Sequence, residues 1–290
     1  MIKMIAFDLD GTVLDDKKRI PPLTKKILEK AARQGIEIVP ATGRPFCGIF
    51  EEVKSLEGVR YILTTNGAGV YEKDTGRCIY ENSMPLRRFL PMMKKLEPLT
   101  VMADAFVKGE CYMSIKNRRL IEEMNASEEV KAYIRESRTC VEKLTEYLAE
   151  RGDDVQKITI NFVENPDGTR RDYEKVIAII EEFPEFIMVS GGMGNVEVTA
   201  RSASKGDGIV KLGEKLGIVP EEILAFGDSG NDVAMLQAAG TGVAMENAEP
   251  EAKEAADFVT RKNTEEGIVY ALEQLMPELT DGIEEMRDKL

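Results

Sequence analysis

The chain has 290 residues and a mass of 32.3 kDa, and its 43% hydrophobic and 31% charged residues are typical of a globular protein with one or two domains. It contains no histidine, which excludes serine–histidine triads, phosphohistidine chemistry and histidine metal sites. The net charge of −13 opposes binding to nucleic acid or to an anionic membrane, so we expect neither as a partner.

Several other motifs are absent. The four cysteines are widely spaced without a CxxC pair, which favours buried free thiols. No Gly-Lys dipeptide occurs, so there is no Walker A loop, and no GxGxxG fingerprint is complete. No stretch approaches the length of a membrane span, and the N-terminus does not resemble a signal or transit peptide. We therefore expect a cytoplasmic protein.

The first part of the chain alternates between short apolar runs and amphipathic segments. The pattern predicts strands over residues 4–7, 36–39 and 61–63, and helices over residues 22–34 and 46–56. Such alternation is typical of a parallel sheet that is covered by helices on both faces.

The middle of the chain has a different pattern, in which strands of alternating character are separated by helices. We predict strands over 111–115, 157–163, 186–189 and 196–199, helices over 130–136, 141–151 and 173–182, and a hairpin turn at 191–195. After residue 200 the first pattern resumes, with a helix over 205–216 and strands over 223–226, 243–245 and 258–259.

These patterns predict an α/β protein with two domains. A Rossmann-like parallel-sheet core domain comprises residues 1–82 and 200–290, and an inserted α/β (α+β) domain comprises residues 83–199. The charged tail over 280–290 is predicted to be a solvated helix.

Polar residues follow the predicted strands of the core domain. Asp8 and Asp10 close the first strand, Thr42 the second and Asn66 the third, and Asp228 closes the strand after the insertion, with Asn231 and Asp232 close behind. Because ligands of open parallel sheets bind at the carboxyl ends of the strands, these residues are candidates for a single site.

Two other interpretations of the aspartates were considered. A calcium-binding loop starting at Asp8 would need glycine at its sixth position and glutamate at its twelfth, where the chain has Val13 and Arg19. A helix N-cap cluster is an ordinary use of residues such as Asp228 and Asp232. Several carboxylates at one sheet edge repel one another, however, and a hard cation with oxygen ligands would relieve that repulsion.

A carboxylate nucleophile, a second carboxyl group, a magnesium ion and a lysine form a coherent set for phosphoryl transfer. Asp8 would attack phosphorus. Asp10, its proton favoured by neighbouring negative charge, would protonate the leaving oxygen and later activate water. Magnesium, Lys205, Thr42 and backbone amides would neutralise the phosphoryl oxygens.

Four segments together resemble the motifs of the haloacid dehalogenase (HAD) superfamily, specifically its Cof-type phosphatases. They are Asp8-Leu9-Asp10-Gly11-Thr12, Ala41-Thr42-Gly43-Arg44, Ser204-Lys205-Gly206 and Gly227-Asp228-Ser229-Gly230-Asn231-Asp232. They occur in the family's order, and the resemblance covers about residues 1–82 and 200–277.

The resemblance implies a role for each matching residue. Asp8 would be the nucleophile and Asp10 the acid/base; Thr42, Gly43 and Lys205 would bind the substrate phosphate. Mg²⁺ would be held by Asp8, the Asp10 carbonyl and Asp228, with Asn231 and Asp232 in support. Residues 83–199 would form a cap that selects the substrate.

The predicted function is magnesium-dependent hydrolysis of small phosphorylated metabolites through an aspartyl phosphate. The substrate would be a sugar phosphate or a phosphorylated cofactor. Two alternatives remain at this point, a phosphomutase of the same superfamily and a phospho-accepting signalling module that also combines aspartates, magnesium and a lysine. The second acid two residues after Asp8 and the large insertion favour turnover.

Overall fold

A computed structural model describes residues 1–191 and 194–288, which form two compact units. The parallel-sheet unit comprises Met1–Arg44, Ile49–Tyr80 and the chain from Ser204 onward, and the inserted unit comprises Pro45–Gly48 and Glu81–Ala203. Residues 192 and 193 of the predicted hairpin turn lie outside the described residues.

The parallel-sheet unit begins with alternating strands and helices. Its elements up to the insertion are β1 (Met4–Phe7), α1 (Pro22–Arg33), β2 (Glu37–Pro40), α2 (Glu51–Lys54), β3 (Tyr61–Thr64), β4 (Gly69–Glu72) and β5 (Cys78–Glu81). All four residues of β1 are buried, as expected for a central strand covered on both faces. The predicted helix over 46–56 is broken: Phe46–Gly48 form a single 3-10 turn that ends at Gly48, a poor helix former, and α2 begins only at Glu51.

The inserted unit mixes helices and strands. Its elements are α3 (Leu86–Leu96), β6 (Val101–Val107), β7 (Glu110–Ser114), α4 (Ile115–Arg118), α5 (Glu128–Ser137), β8 (Thr139–Val141), α6 (Leu144–Arg151), β9 (Lys157–Phe162), α7 (Tyr173–Glu181), β10 (Phe186–Gly191) and β11 (Asn195–Ala200). Its sheet has the order β10-β11-β9-β6-β7-β8, and its described strand pairs are antiparallel except for the parallel pair β7–β8.

The chain then returns to the parallel-sheet unit. The remaining elements are α8 (Lys205–Leu216), β12 (Ile223–Gly227), α9 (Val233–Ala238), β13 (Thr241–Ala244), α10 (Pro250–Ala255), β14 (Phe258–Val259), α11 (Gly267–Leu275), α12 (Pro277–Thr280) and α13 (Ile283–Arg287). The parallel sheet has the order β14-β13-β12-β1-β2, so β1 lies between β12 and β2. The predicted α/β fold class with an α+β insertion is confirmed.

The described residues, 1–191 and 194–288, include no helix that is both long and apolar enough to cross a bilayer.

The sequence analysis missed two strands of the inserted unit, β6 and β8, and two of its helices, α3 and α4. The strand β6 shows most clearly why an element was missed. All seven of its residues are buried, and it pairs with both β9 and β7. Its alternation is interrupted by Asp104, whose side chain has no exposed surface. A fully buried acid requires a partner from elsewhere in the fold, which the local pattern does not reveal.

That partner is Arg138, which follows α5. Its Nε lies 3.2 Å from the Asp104 Oδ2, and its guanidinium lies 4.9 Å from the centre of the Tyr133 ring. Burial nevertheless raises the pKa of Asp104 to about 6, because it outweighs the attraction of Arg138 and Lys157. The ionised form of Asp104 is therefore held in the inserted unit at a cost that the arginine partly offsets.

We predict that Arg138→Met destabilises the protein by about 3–5 kcal/mol at about pH 8, because it leaves a buried carboxylate without its partner. The pKa of Asp104 is already above its unfolded value of 3.8, so this group contributes less stability as pH rises from about 4 through 6. Removing Arg138 raises the pKa of Asp104 further, so the decline in stability continues to higher pH. The deficit relative to wild type should thus be smaller at about pH 5 than at about pH 8.

Chemical unfolding at both pH values measures this difference. Arg135→Met is the matched control, since Arg135 makes exposed ion pairs with Glu122 and Glu128 and should show little effect at either pH. An equal loss for Arg138→Met at both pH values would contradict the prediction.

Candidate active site

The predicted polar residues lie on loops at one edge of the parallel sheet. Asp8 directly follows β1, and its backbone N–H donates to the Phe226 carbonyl of β12 at 3.0 Å, so it extends the strand ladder. Asp228 directly follows β12, and Thr42 lies two residues after β2. Because parallel strands end at the same edge, residues that are distant in sequence meet there.

Lys205 joins two of these loops. Its side chain is completely buried, and its Nζ lies 2.5 Å from the Asp8 Oδ1 and 2.6 Å from the Asp232 Oδ1. It is the first residue of α8, whose N-cap Ser204 accepts a hydrogen bond from the Asp207 amide. Burial acts to lower the pKa of Lys205, but the two aspartates outweigh it and raise the pKa above its ordinary value. The ammonium therefore stays charged between two carboxylates.

Asp232 is held from both sides. Its second oxygen, Oδ2, accepts hydrogen bonds from the backbone amides of Asp228 at 3.0 Å and Ser229 at 3.1 Å. Both carboxylate oxygens thus already have donors, which fits a supporting residue that fixes Lys205 and the loop after β12.

Asp8, Asp228 and Asp232 form an acidic cluster in which carboxylate oxygens lie within 4.8 Å of one another. Burial, together with repulsion from Asp232 and Asp228, raises the pKa of Asp8 to about 8 in spite of Lys205. Burial and repulsion likewise raise the pKa of Asp228 to about 6, although its Oδ1 accepts a 2.7 Å hydrogen bond from the Thr12 hydroxyl. Three carboxylates face one ammonium here, and this excess of oxygen ligands and negative charge suits a hard divalent cation.

Asp10 lies in a different electrostatic environment from the one that the sequence suggested. Its Oδ2 lies 2.9 Å from the Arg44 Nη2, and its Oδ1 lies 2.6 Å from the Lys18 Nζ. Burial acts to raise the pKa of Asp10, but these two cations outweigh it and lower the pKa below the ordinary value. The expectation that neighbouring negative charge favours its proton is therefore wrong, because the charges that contact its carboxylate are positive.

The loop after β2 is tightly folded. The Thr42 side chain is buried, its backbone N–H donates to the Leu63 carbonyl at 2.9 Å, and its hydroxyl accepts from the Arg44 amide at 3.2 Å. Gly43 packs closely against Asn66, since a Cβ built on it would lie 2.8 Å from the Asn66 Oδ1.

Asn231 links that region to the loop after β12. Its Nδ2 donates to the Asn66 Oδ1 at 3.2 Å, and its Oδ1 accepts from the Ser229 hydroxyl at 2.8 Å. The eight predicted site residues thus all lie on the strand-end loops and the start of α8, and the contacts above connect them.

Sequence reasoning gave no role to several residues that complete this arrangement. Lys18 and Arg44 hold Asp10, and Thr12 holds Asp228. Asn247 and Asn263 donate to the carbonyls of Gly11 and Leu14 and so fix the loop after β1. Arg44 and Thr12 were within recognised motifs, but only the folded chain shows which carboxylate each one contacts.

Comparison with known proteins shows the family of this chain. Residues 5–272 match the family described as haloacid dehalogenase-like hydrolase. Phosphatase YwpJ of Bacillus subtilis is 29% identical over 299 residues, covering 95% of this chain and 100% of the relative. The 5-amino-6-(5-phospho-D-ribitylamino)uracil phosphatase YcsE of Bacillus subtilis is 28% identical over 271 residues, covering 93% and 94%.

A solved structure has the same fold over nearly the whole chain. It is a sugar phosphatase of HAD subclass IIB, 27% identical, with a TM-score of 0.75 and coverage of 94% of this chain and 98% of that one. The predicted superfamily is therefore confirmed, and so is the prediction of an enzyme. A signalling module has no support among these relatives. With a family match over most of its length and an acidic, lysine-bridged cluster at the sheet edge, this chain belongs to the haloacid dehalogenase-like hydrolases as a Cof-type phosphatase.

Proposed function

We propose that this phosphatase hydrolyses small phosphate monoesters, namely sugar phosphates or phosphorylated cofactors, through a covalent aspartyl phosphate on Asp8. The observation that carries the proposal is the buried Lys205 ammonium, which bonds Asp8 beside Asp228 and Asp232. A lysine in this position orients the carboxylate and neutralises charge on an incoming phosphoryl group. The relatives that act on a phosphorylated ribitylaminouracil and on sugar phosphates support the substrate class.

In the first half-reaction a carboxylate oxygen of Asp8 attacks phosphorus, and the bond from phosphorus to the leaving oxygen breaks. The leaving oxygen takes a proton from Asp10. In the second half-reaction water attacks the phosphorus of the acyl phosphate, Asp10 accepts its proton, and inorganic phosphate leaves. Asp8 is regenerated as a carboxylate, so atoms and charges balance over the cycle.

Asp10 must gain a proton before the first half-reaction, although Arg44 and Lys18 hold it ionised without substrate. A phosphate dianion offers both cations a stronger partner, so its arrival would weaken their hold on Asp10. Thr42, Gly43 and Lys205 are the proposed phosphate-binding residues, through the hydroxyl, the backbone amide and the ammonium respectively.

The acidic cluster fits Mg²⁺, which would be held by Asp8, Asp228 and the backbone carbonyl of Asp10. When bound, the ion neutralises charge on the cluster and on the phosphoryl oxygens. Asp232 is assigned a supporting position beside this ligand set, because its Oδ1 binds Lys205 and its Oδ2 accepts from the amides of Asp228 and Ser229. Its proposed task, with Asn231, is to support the loop that carries Asp228.

We also propose that the inserted unit is the cap that selects the substrate. All of the residues assigned to the chemistry belong to the parallel-sheet unit, so the insertion is left with another task. Closure of such a cap excludes water and strengthens electrostatic contacts, as lids commonly do.

Chelation should abolish turnover of para-nitrophenyl phosphate, because the carboxylates then repel one another and the incoming phosphate. Adding back Mg²⁺ should restore it, with Ca²⁺ as the control for a larger ion of equal charge. Full activity in chelator without added metal would contradict the proposal.

Asp8→Asn should eliminate turnover with the fold intact, since an amide oxygen has nearly the same shape but is a poor nucleophile. With a sugar phosphate, whose alcohol leaving group needs a proton, Asp10→Asn should slow both the release of the alcohol and the hydrolysis of the acyl phosphate. Rapid-quench measurement of the ³²P-labelled protein separates the two steps. Wild-type activity in Asp8→Asn would place the nucleophile elsewhere.

Replacing residues 83–199 with a short linker should preserve turnover of para-nitrophenyl phosphate far better than selectivity among a panel of metabolite phosphates. Circular dichroism establishes that the shortened protein is folded. A folded, capless protein that kept the full substrate preference would assign selection to the parallel-sheet unit instead.

A further inference from the structure

The turn that follows β3 has an unusual backbone. Thr65, Asn66 and Gly67 have φ values of 50°, 57° and 91°, so three consecutive residues lie in the left-handed region. Thr65 and Asn66 are not glycine, and all three residues are buried. Non-glycine residues are unfavourable in this region and persist there only where the surrounding structure imposes the conformation.

The backbone of this turn is bonded to the loop after β2. The Asn66 amide donates to the Thr42 carbonyl at 3.1 Å, and the Thr65 amide donates to the Arg44 carbonyl at 3.0 Å. The left-handed turn therefore holds the proposed phosphate-binding loop at Thr42 and at Arg44.

The same turn contacts the start of α8. A Cβ at Gly67 would lie 1.9 Å from the Ser204 carbonyl oxygen and 3.0 Å from the Lys205 amide nitrogen. Only glycine allows this approach, which brings the turn against the residue that bonds Asp8.

The Asn66 side chain reaches a third loop. Its Oδ1 accepts the 3.2 Å hydrogen bond from Asn231 Nδ2, and a Cβ at Gly43 would lie within 2.8 Å of the same oxygen. The carboxamide is thus enclosed between the loops after β2 and β12. One strained turn contacts all three segments that carry the phosphate-binding and supporting residues.

We propose that Asn66 is a positioning residue for phosphoryl transfer, acting through Asn231 and the Thr42 loop. This inference rests on the proposed function, because it assumes that Thr42, Lys205 and Asn231 serve a phosphoryl group. Asparagine suits the position because it tolerates the left-handed conformation better than other residues with a side chain and supplies an oxygen acceptor. Misplacement of catalytic groups by about 1 Å can cost up to about 100-fold in rate.

The test is a double-mutant cycle between Asn66→Gly and Asn231→Ala. Glycine keeps the left-handed backbone without strain and removes only the carboxamide. With para-nitrophenyl phosphate and Mg²⁺, each single variant should lower kcat by about 10-fold, with KM changed much less. The double variant should be no slower than the slower single variant, because the two side chains act as one unit.

Two further variants separate positioning from general stability. Asn66→Asp retains the acceptor for Asn231 and tolerates the same backbone, so it should restore kcat to within a few-fold of wild type. Glu266→Gly is the matched control, because Glu266 is another non-glycine residue with positive φ, at 54°, at the start of α11. It should leave kcat unchanged.

Unchanged kcat in folded Asn66→Gly, or additive losses in the double variant, would overturn the proposal. The proposal would also be overturned if the variants lost activity only in proportion to their loss of folded protein, as measured by thermal unfolding. Measurements on wild type and Asp8→Asn distinguish failure of the proposed function from failure of this inference. If wild type has no turnover, or if Asp8→Asn retains turnover, the phosphatase mechanism itself is wrong.

Discussion

The site depends on one buried ion-pair arrangement, in which the Lys205 ammonium lies between Asp8 and Asp232. An ammonium without exposed surface is tolerated only with close carboxylate partners, so its burial fixes the positions of both aspartates. Asp232 transmits this constraint, because its other oxygen binds the amides of Asp228 and Ser229. The loops after β1 and β12 and the start of α8 are thereby held as one unit.

The electrostatics of this unit are consistent with the proposed cation and phosphate. The chain carries a net charge of −13, and the acidic cluster adds local repulsion that raises the pKa values of Asp8 and Asp228. The cations beside it, Lys18 and Arg44, are paired with Asp10. A bound cation would relieve the repulsion, and an anionic substrate would compete with Asp10 for the paired cations.

Two buried non-glycine residues with left-handed backbone, Thr65 and Asn66, lie at the same edge of the sheet. The turn at Thr65–Gly67 violates local conformational preference in a buried position, yet its hydrogen bonds connect it to Thr42 and Arg44. Conflicts between local preference and the fold are expected where function requires a particular arrangement. The inserted unit has a different kind of conflict, since Asp104 lies in the fully buried strand β6, which pairs with a neighbour on each side.

The sequence by itself determined the α/β class with an additional inserted unit, and it predicted the candidate residues of the site. This was possible because β1, β12 and α8 have strong local patterns. Two of the polar motifs directly follow the strands β1 and β12, and another begins the helix α8. It could not identify β6, because a buried aspartate is compatible with a central strand only when Arg138, far along the chain, neutralises it. The tertiary structure alone decided the environment of Asp10, whose pKa depends on Lys18 and Arg44, eight and 34 residues away. Local pattern reports which face of an element is buried, whereas pKa values and strained turns depend on contacts that form only when distant loops meet.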